Sequence, residues 1–189
     1  MALHFSKEEF HKRKLNTLRC MKEKNLDALL MFRQESMYWL TGYDTFGYVF
    51  FQTLILDQKG NVILLTRAPD LRQAQNTSNI EDIRIWVDKD GVNPTDDLKI
   101  ILDELNLKGK KIGVEYEAYG MTGRNALKLN KSLDGYCNVE DQSELITKLR
   151  VIKSNEEIIY VKKAAELADS ALDEAWKYTK AGASEAKIL

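Results

Sequence analysis

Apolar residues in this chain recur first at helical spacing, then in unbroken or alternating runs, and finally at helical spacing again. Ser6-Lys7-Glu8-Glu9 has the form of a capping box, a hydroxyl at the N-cap with a Glu three residues on. The helix it opens directs Phe10, Leu15, Leu18 and Met21 to one side and is expected to run to about Lys24. Residues 26–32 form an almost continuous apolar run, as a strand buried on both faces requires. Residues 48–56 and 62–66 read as two further strands. Gly60 and Asn61 between them are expected to supply the positive φ of a hairpin.

Strands and helices then alternate. Residues 68–75 read as helix, and Ile83, Ile85 and Val87 as a short strand of period two. Asn93-Pro94 supplies an N-cap and a proline at the first helical position, ahead of Leu98, Ile101, Leu102 and Leu105. Residues 111–115 read as strand, 122–133 as helix and 136–139 as a last strand, and Asp141-x-x-Glu144 opens a short helix. Alternation after an initial hairpin predicts an α/β fold, a mixed β-sheet with helices on both faces.

The pattern changes after Lys153. Ser154-Asn155-Glu156-Glu157 is a second capping box, and Ile158, Val161, Ala165, Ala168, Leu172 and Ala175 follow at spacings of three and four. A helix of this length spans roughly 40 Å. Gly182 ends it, and the segment from Ser184 to Leu189 begins another element. The expected organisation is a first domain over 1–150 and the start of a second, truncated domain over 151–189. The same stripe would also suit a helix packed back on the first domain, or a dimer seam.

Composition narrows the classes. Of 189 residues, 44% are hydrophobic and 30% charged, which is globular. The formal net charge of −1 gives no basic face for nucleic acid. No apolar run reaches the ~20 residues of a membrane helix, and the first residues lack the apolar core of a secretory signal. Cys20 and Cys137, far apart and without metal-site spacing, read as reduced thiols of a cytoplasmic protein. No phosphate loop or nucleophile elbow occurs. His4 and His11 are the only histidines, and on one helix they would lie roughly 10 Å apart along the axis, too far to share a metal ion. Glu115 and Glu117 flank Tyr116 after a strand, where a carboxylate can be functional, although a pair without His or Asp partners is more often a solvated loop edge.

One segment is unusual. Seven of the seventeen aromatic residues fall within residues 38–51. Phe50, read as a strand residue, is expected in the core. Tyr43, Phe46 and Tyr48 lie in or beside the glycine-flanked stretch Thr41–Gly47 and are the candidate substrate-binding residues, as an aromatic wall of a pocket or a subunit contact. Ordinary core packing is the alternative.

Three stretches resemble the creatinase/prolidase family. Ser36-Met37-Tyr38-Trp39-Leu40-Thr41-Gly42-Tyr43 is similar to the N-x-x-Y-L-T-G-[FY] signature of its N-terminal domain. Leu149-Arg150-Val151-Ile152-Lys153-Ser154-x-x-Glu157-Ile158 is similar to the junction into its catalytic domain, and Gly182-Ala183-Ser184-Glu185 to the start of that domain's second helix. The resemblance implies a mixed-sheet N-terminal domain followed by the first helix of a catalytic domain of pita-bread fold. It implies two divalent ions (Mn, Co or Zn) in the full-length enzyme, held by two Asp, one His and two Glu of the catalytic domain, and hence no catalytic residue or metal ligand here. In creatinase an N-terminal-domain Arg holds substrate across the dimer; the matching position is Phe50, which argues against creatine.

The expectation is therefore the non-catalytic N-terminal portion of a cytoplasmic, homodimeric metallohydrolase resembling Xaa-Pro dipeptidase, acting on a small peptide or small amide. An ectoine-hydrolase-like amidohydrolase and a non-catalytic peptide-binding or dimerisation module, such as the same fold provides in histone chaperones, are the alternatives.

Overall fold

A computed structural model describes residues 3–187; the first two residues of the start and Ile188-Leu189, read above as part of a new element, lie outside the described residues. The chain divides after Val151 into two compact units.

The first unit is a six-stranded mixed sheet. In chain order it comprises α1 (Lys7–Glu23), β1 (Ala28–Met31), α2 (Gln34–Thr41), β2 (Thr53–Asp57), β3 (Val62–Arg67), α3 (Leu71–Thr77), β4 (Asp82–Trp86), α4 (Pro94–Glu104), β5 (Lys111–Val114), α5 (Gly123–Leu133), β6 (Asn138–Asp141) and α6 (Glu144–Val151). The strand order is β4-β3-β2-β1-β5-β6. β2 runs antiparallel to both its neighbours, and the β1–β5, β3–β4 and β5–β6 pairs are parallel.

Side chains one residue apart on a strand face opposite ways, and here both faces are buried. Ala28 and Leu30 of β1, Ile55 of β2, Ile63 and Leu65 of β3, and Ile112 and Val114 of β5 pack with Leu98, Ile101 and Leu102 of α4 and Leu129 and Leu133 of α5. Leu29, Met31, Leu54, Leu56 and Leu64 meet Met21, Met37, Leu40, Ala74, Leu145 and Ile146 on the other face. The apolar run before Arg33 thus reflects a strand covered on both sides, and the expected α/β class with helices on both faces is what forms.

Three local expectations are corrected. Residues 48–52 are not strand: Gly47–Val49 is a 3-10 turn and β2 begins at Thr53. Phe50 is accordingly 42% exposed rather than core, while Phe51 is buried. In the β2–β3 turn only Gly60 takes positive φ (87°). Asn61 instead donates its backbone N–H and side-chain amide to the Asp57 carboxylate, at 2.8 and 2.7 Å.

The second unit holds α7 (Asn155–Tyr178), whose N-cap Ser154 forms a complete capping box with Glu157. None of its residues is buried.

The aromatic segment is docked through Gly120. A Cβ there would lie 2.3 Å from the Phe50 carbonyl oxygen and 3.0 Å from that of Tyr48, whereas a Cβ on Gly123 would meet nothing within 4 Å. Gly120→Ala should therefore cost about 1–3 kcal/mol through displacement of the segment. Gly123→Ala, in the first turn of α5, should leave stability unchanged or raise it by up to about 1 kcal/mol. Urea denaturation of the two variants checks the contrast in sign.

Candidate functional site

Between β1 and β5 the chain connections diverge. From β1 the chain proceeds toward β2, β3 and β4, and from β5 toward β6 on the other side. Parallel strands whose connections part in this way leave a crevice beyond their carboxyl ends. The first residues past β1 (Phe32–Glu35) and past β5 (Tyr116–Tyr119) line a cleft of about 630 Å³ there, with Tyr48 from the aromatic segment and Thr147 and Arg150 from α6.

The cleft is organised by Glu115, the residue after β5. Its side chain is fully buried. One carboxylate oxygen accepts the backbone N–H groups of Phe32 and Arg33, each at 3.0 Å, and the other accepts the Ser36 hydroxyl at 2.6 Å. Arg33, the N-cap of α2, has no side-chain capping bond of its own. Glu115 therefore caps α2 from across the sheet, where negative charge is favoured. Burial pushes its pKa up to about 7, against the opposing pull of the Ser36, Arg33 and Phe32 hydrogen bonds.

Arg33 reaches over the cleft floor. Its guanidinium donates to the Glu117 backbone carbonyl and carboxylate and, at 2.6 Å, to the Thr147 hydroxyl. Ser143 steadies the β5 loop by accepting the N–H groups of Tyr116 at 3.0 Å and Glu117 at 3.3 Å, and it donates to Asp141 at 2.6 Å.

The three candidate aromatic residues are not brought together. Tyr43 points inward with 0% exposure and joins the core under α2. Its hydroxyl donates to Gln52 at 3.0 Å and lies 3.4 Å from the Thr66 hydroxyl, so it is a structural anchor and not a pocket wall. The turn that sends it inward is made by Gly42, at φ 82°, where a Cβ would stand 3.0 Å from both Leu3 and the Thr77 carbonyl. Phe46 is 85% exposed. Tyr48 lines the cleft, edge-to-face with Tyr119 at a centroid distance of 5.7 Å.

The same network holds the segment from below. Gln52 donates to Thr45 at 3.3 Å, and Thr45 accepts the Gly47 N–H at 2.9 Å. The Asp70 carboxylate leaves no room for a Cβ on Gly47 and binds Arg67 at 3.1 Å. The Arg67 guanidinium in turn lies 3.4 Å from the centre of the Phe50 ring, a cation–π stack.

Sequence reading missed α2, the buried role of Glu115, and Arg33 and Tyr119 as cleft residues. A Ser and a Glu in the first turn and Met37, Leu40 and Thr41 at helical spacing were the available signals for α2. Nothing local marks Glu115, whose partners lie about eighty residues away.

The described residues contain no group of three or more His, Cys, Asp or Glu that could hold a metal ion. His4 bonds the Tyr38 hydroxyl at 2.6 Å, and His11 is exposed. The described residues thus do not fit the pair of divalent ions that the resemblance implies for the family's catalytic domain. No described helix is long and apolar enough to cross a membrane.

Sheet order, two-sided cover and a strand-end cleft define a doubly flanked α/β domain. The chain belongs to the creatinase/prolidase family: residues 13–152 match the Creatinase/Prolidase N-terminal domain. It is 26% identical over 193 residues to an uncharacterized hydrolase/peptidase, y4tM, of Sinorhizobium fredii, covering 98% of this chain and 49% of that protein. It is 25% identical over 174 residues to the ectoine hydrolase of Halomonas elongata, covering 88% and 43%. The prolidase of Thermococcus sibiricus shares the fold at a TM-score of 0.77 and 23% identity, over 95% of this chain and 47% of that one. The chain spans about half the length of the curated relatives it matches.

Glu115 generates a pH prediction. Because its native pKa lies near 7 against an ordinary 4.5, the native state holds a proton that the unfolded chain releases between those values. Its stabilising contribution is present below about pH 4.5 and is lost as pH rises through about 7, on the order of 3 kcal/mol in all. The stability of the native sequence minus that of Glu115→Gln should fall by that order between about pH 5 and about pH 8. A pH-independent difference in urea denaturation would contradict it.

Proposed function

We propose that this chain is the non-catalytic N-terminal portion of a cytoplasmic, homodimeric hydrolase resembling Xaa-Pro dipeptidase, and that it supplies subunit contacts and one wall of the substrate pocket. The substrate is a small peptide or small amide. Family membership supports the reading, as do relatives described as hydrolase/peptidase, ectoine hydrolase and putative dipeptidase. The two divalent ions of the complete enzyme would be held outside the described residues.

The observation that carries the reading is Phe46. A large aromatic ring stands almost wholly in solvent on a backbone pinned from beneath by Thr45, Gly47, Gln52 and buried Tyr43. Rigid support under an exposed ring suits binding, because little conformational freedom is lost when the ring is covered. Phe46 on the exposed segment and Tyr48 at the cleft would each offer an aromatic face to the apolar part of a substrate, leaving bond cleavage to the remainder of the protein.

The ectoine-hydrolase likeness favours a second reading, a small-molecule amidohydrolase using the same wall. Hydrolysis of Xaa-Pro dipeptides against hydrolysis of ectoine by the complete protein separates the two, and cleavage of neither favours a binding module.

In the complete protein, Phe46→Ala should lower kcat/KM about tenfold, mainly through KM, while stability changes by less than about 0.5 kcal/mol. Tyr43→Phe should do the reverse, costing about 1 kcal/mol of stability with kcat/KM of the folded enzyme nearly unchanged. Unaltered kcat/KM in Phe46→Ala would refute the role of this wall.

A further inference from the structure

The strand-end cleft carries an inference that needs only its own residues and stands whether or not the complete protein hydrolyses anything. Its size, about 630 Å³, falls in the range of small-ligand sites. Its polar groups are unevenly used. A guanidinium has five N–H donors in a fixed fork. Arg33 commits three of them, to Glu117 and Thr147, which fix the group in place and leave two. Tyr116 donates to Asn130. The hydroxyls of Tyr48 and Tyr119 and the side chains of Gln34 and Glu35 have no hydrogen-bond or ion-pair partner among the described residues. Arg150 and the Glu117 carboxylate that holds Arg33 also line the cleft, which therefore offers several donors and, in Glu35, one carboxylate that no other described residue engages. Beside them stands the Tyr48–Tyr119 edge-to-face pair, with Tyr119 73% exposed.

We propose that this cleft binds a small zwitterion with an apolar side chain, its carboxylate on Arg33 and the tyrosine hydroxyls, its ammonium on Glu35, and its side chain against Tyr48 and Tyr119. Both a free α-amino acid and a short peptide have this chemistry. A carboxylate is matched by the planar fork of Arg33, an ammonium by Glu35, and a flat or branched side chain by the tyrosine faces. An anion lacking an ammonium would leave Glu35 beside the ligand without its counter-charge, and a cation lacking a carboxylate would leave the Arg33 donors without theirs.

The test is a titration of the 189-residue chain followed by ¹H–¹⁵N NMR, with L-phenylalanine, L-phenylalaninamide, N-acetyl-L-phenylalanine and glycyl-L-phenylalanine as probes. Saturable shifts at Arg33, Glu35, Ala118 and Tyr119, with a dissociation constant of about 1 mM or tighter, are expected for the amino acid, the dipeptide or both. The tighter of the two identifies the source. The amide and the N-acetyl compound should each bind about tenfold more weakly or worse. Arg33→Gln should abolish the response. Tyr119→Ala, at an exposed position that folding does not need, should weaken binding several-fold. No saturable shift up to about 10 mM of either zwitterion, equal binding of either blocked compound, or shifts confined to residues outside the cleft would overturn the proposal. The comparison between ligands needs no variant, so a destabilised Arg33→Gln would not rescue it.

Discussion

One buried carboxylate ties the two halves of the cleft together. Glu115 ends β5, yet its hydrogen bonds are spent on the backbone that leaves β1 and on the first turn of α2. Two parallel strands distant in sequence are thereby joined beyond the point where their own ladder stops. An unsatisfied helix N-terminus in a buried position would be costly, and a lone buried carboxylate more so. Each satisfies the other. The direction of α2, the placement of Arg33 over the cleft and the entry into the aromatic segment all follow from that pairing.

The aromatic segment then inherits a rigid base. α2 ends at Gly42 in the left-handed region, Tyr43 turns inward, and its hydroxyl enters a buried polar network with Gln52 and Thr66. Gly47 and Gly120 are places where backbone or carboxylate approaches so closely that a side chain has no room. The result is a surface with Phe46 in solvent and Tyr48 at the cleft, held without mobile support. Family membership gives this surface its setting, since the chain matches about half of each curated relative's length.

Much of the fold was legible in the sequence. The double-sided burial of β1 showed in its unbroken apolar run, the Ser154 capping box forms as read, Ser6 caps α1 by accepting the Glu9 N–H while the Glu9 carboxylate goes to Arg13, and α4 starts at its proline. The site was less legible, for physical reasons. The aromatic excess drew attention to residues 38–51, but aromatic content does not say which ring is buried. Tyr43 is buried because Gly42 turns the chain and Gln52 and Thr66 wait beneath it, all tertiary facts. Phe50 looked like core because a strand was extended over it; the 3-10 turn at Gly47–Val49 puts it in reach of Arg67 instead. Glu117 was the ordinary loop-edge carboxylate that the sequence suggested, paired with Arg33. Glu115, two residues away, was not, and strand periodicity alone could not separate them.

The most direct test of this account is amide hydrogen exchange at Phe32 and Arg33 in the intact chain. Both lie beyond the end of β1, where a loop amide would exchange quickly. If Glu115 holds them as described, their exchange should be as slow as that of Leu29 and Leu30 in the middle of the sheet. Exchange as fast as that of the exposed turn at Lys89 and Asp90 would show that the carboxylate does not cap α2, and the account of the cleft would fail with it.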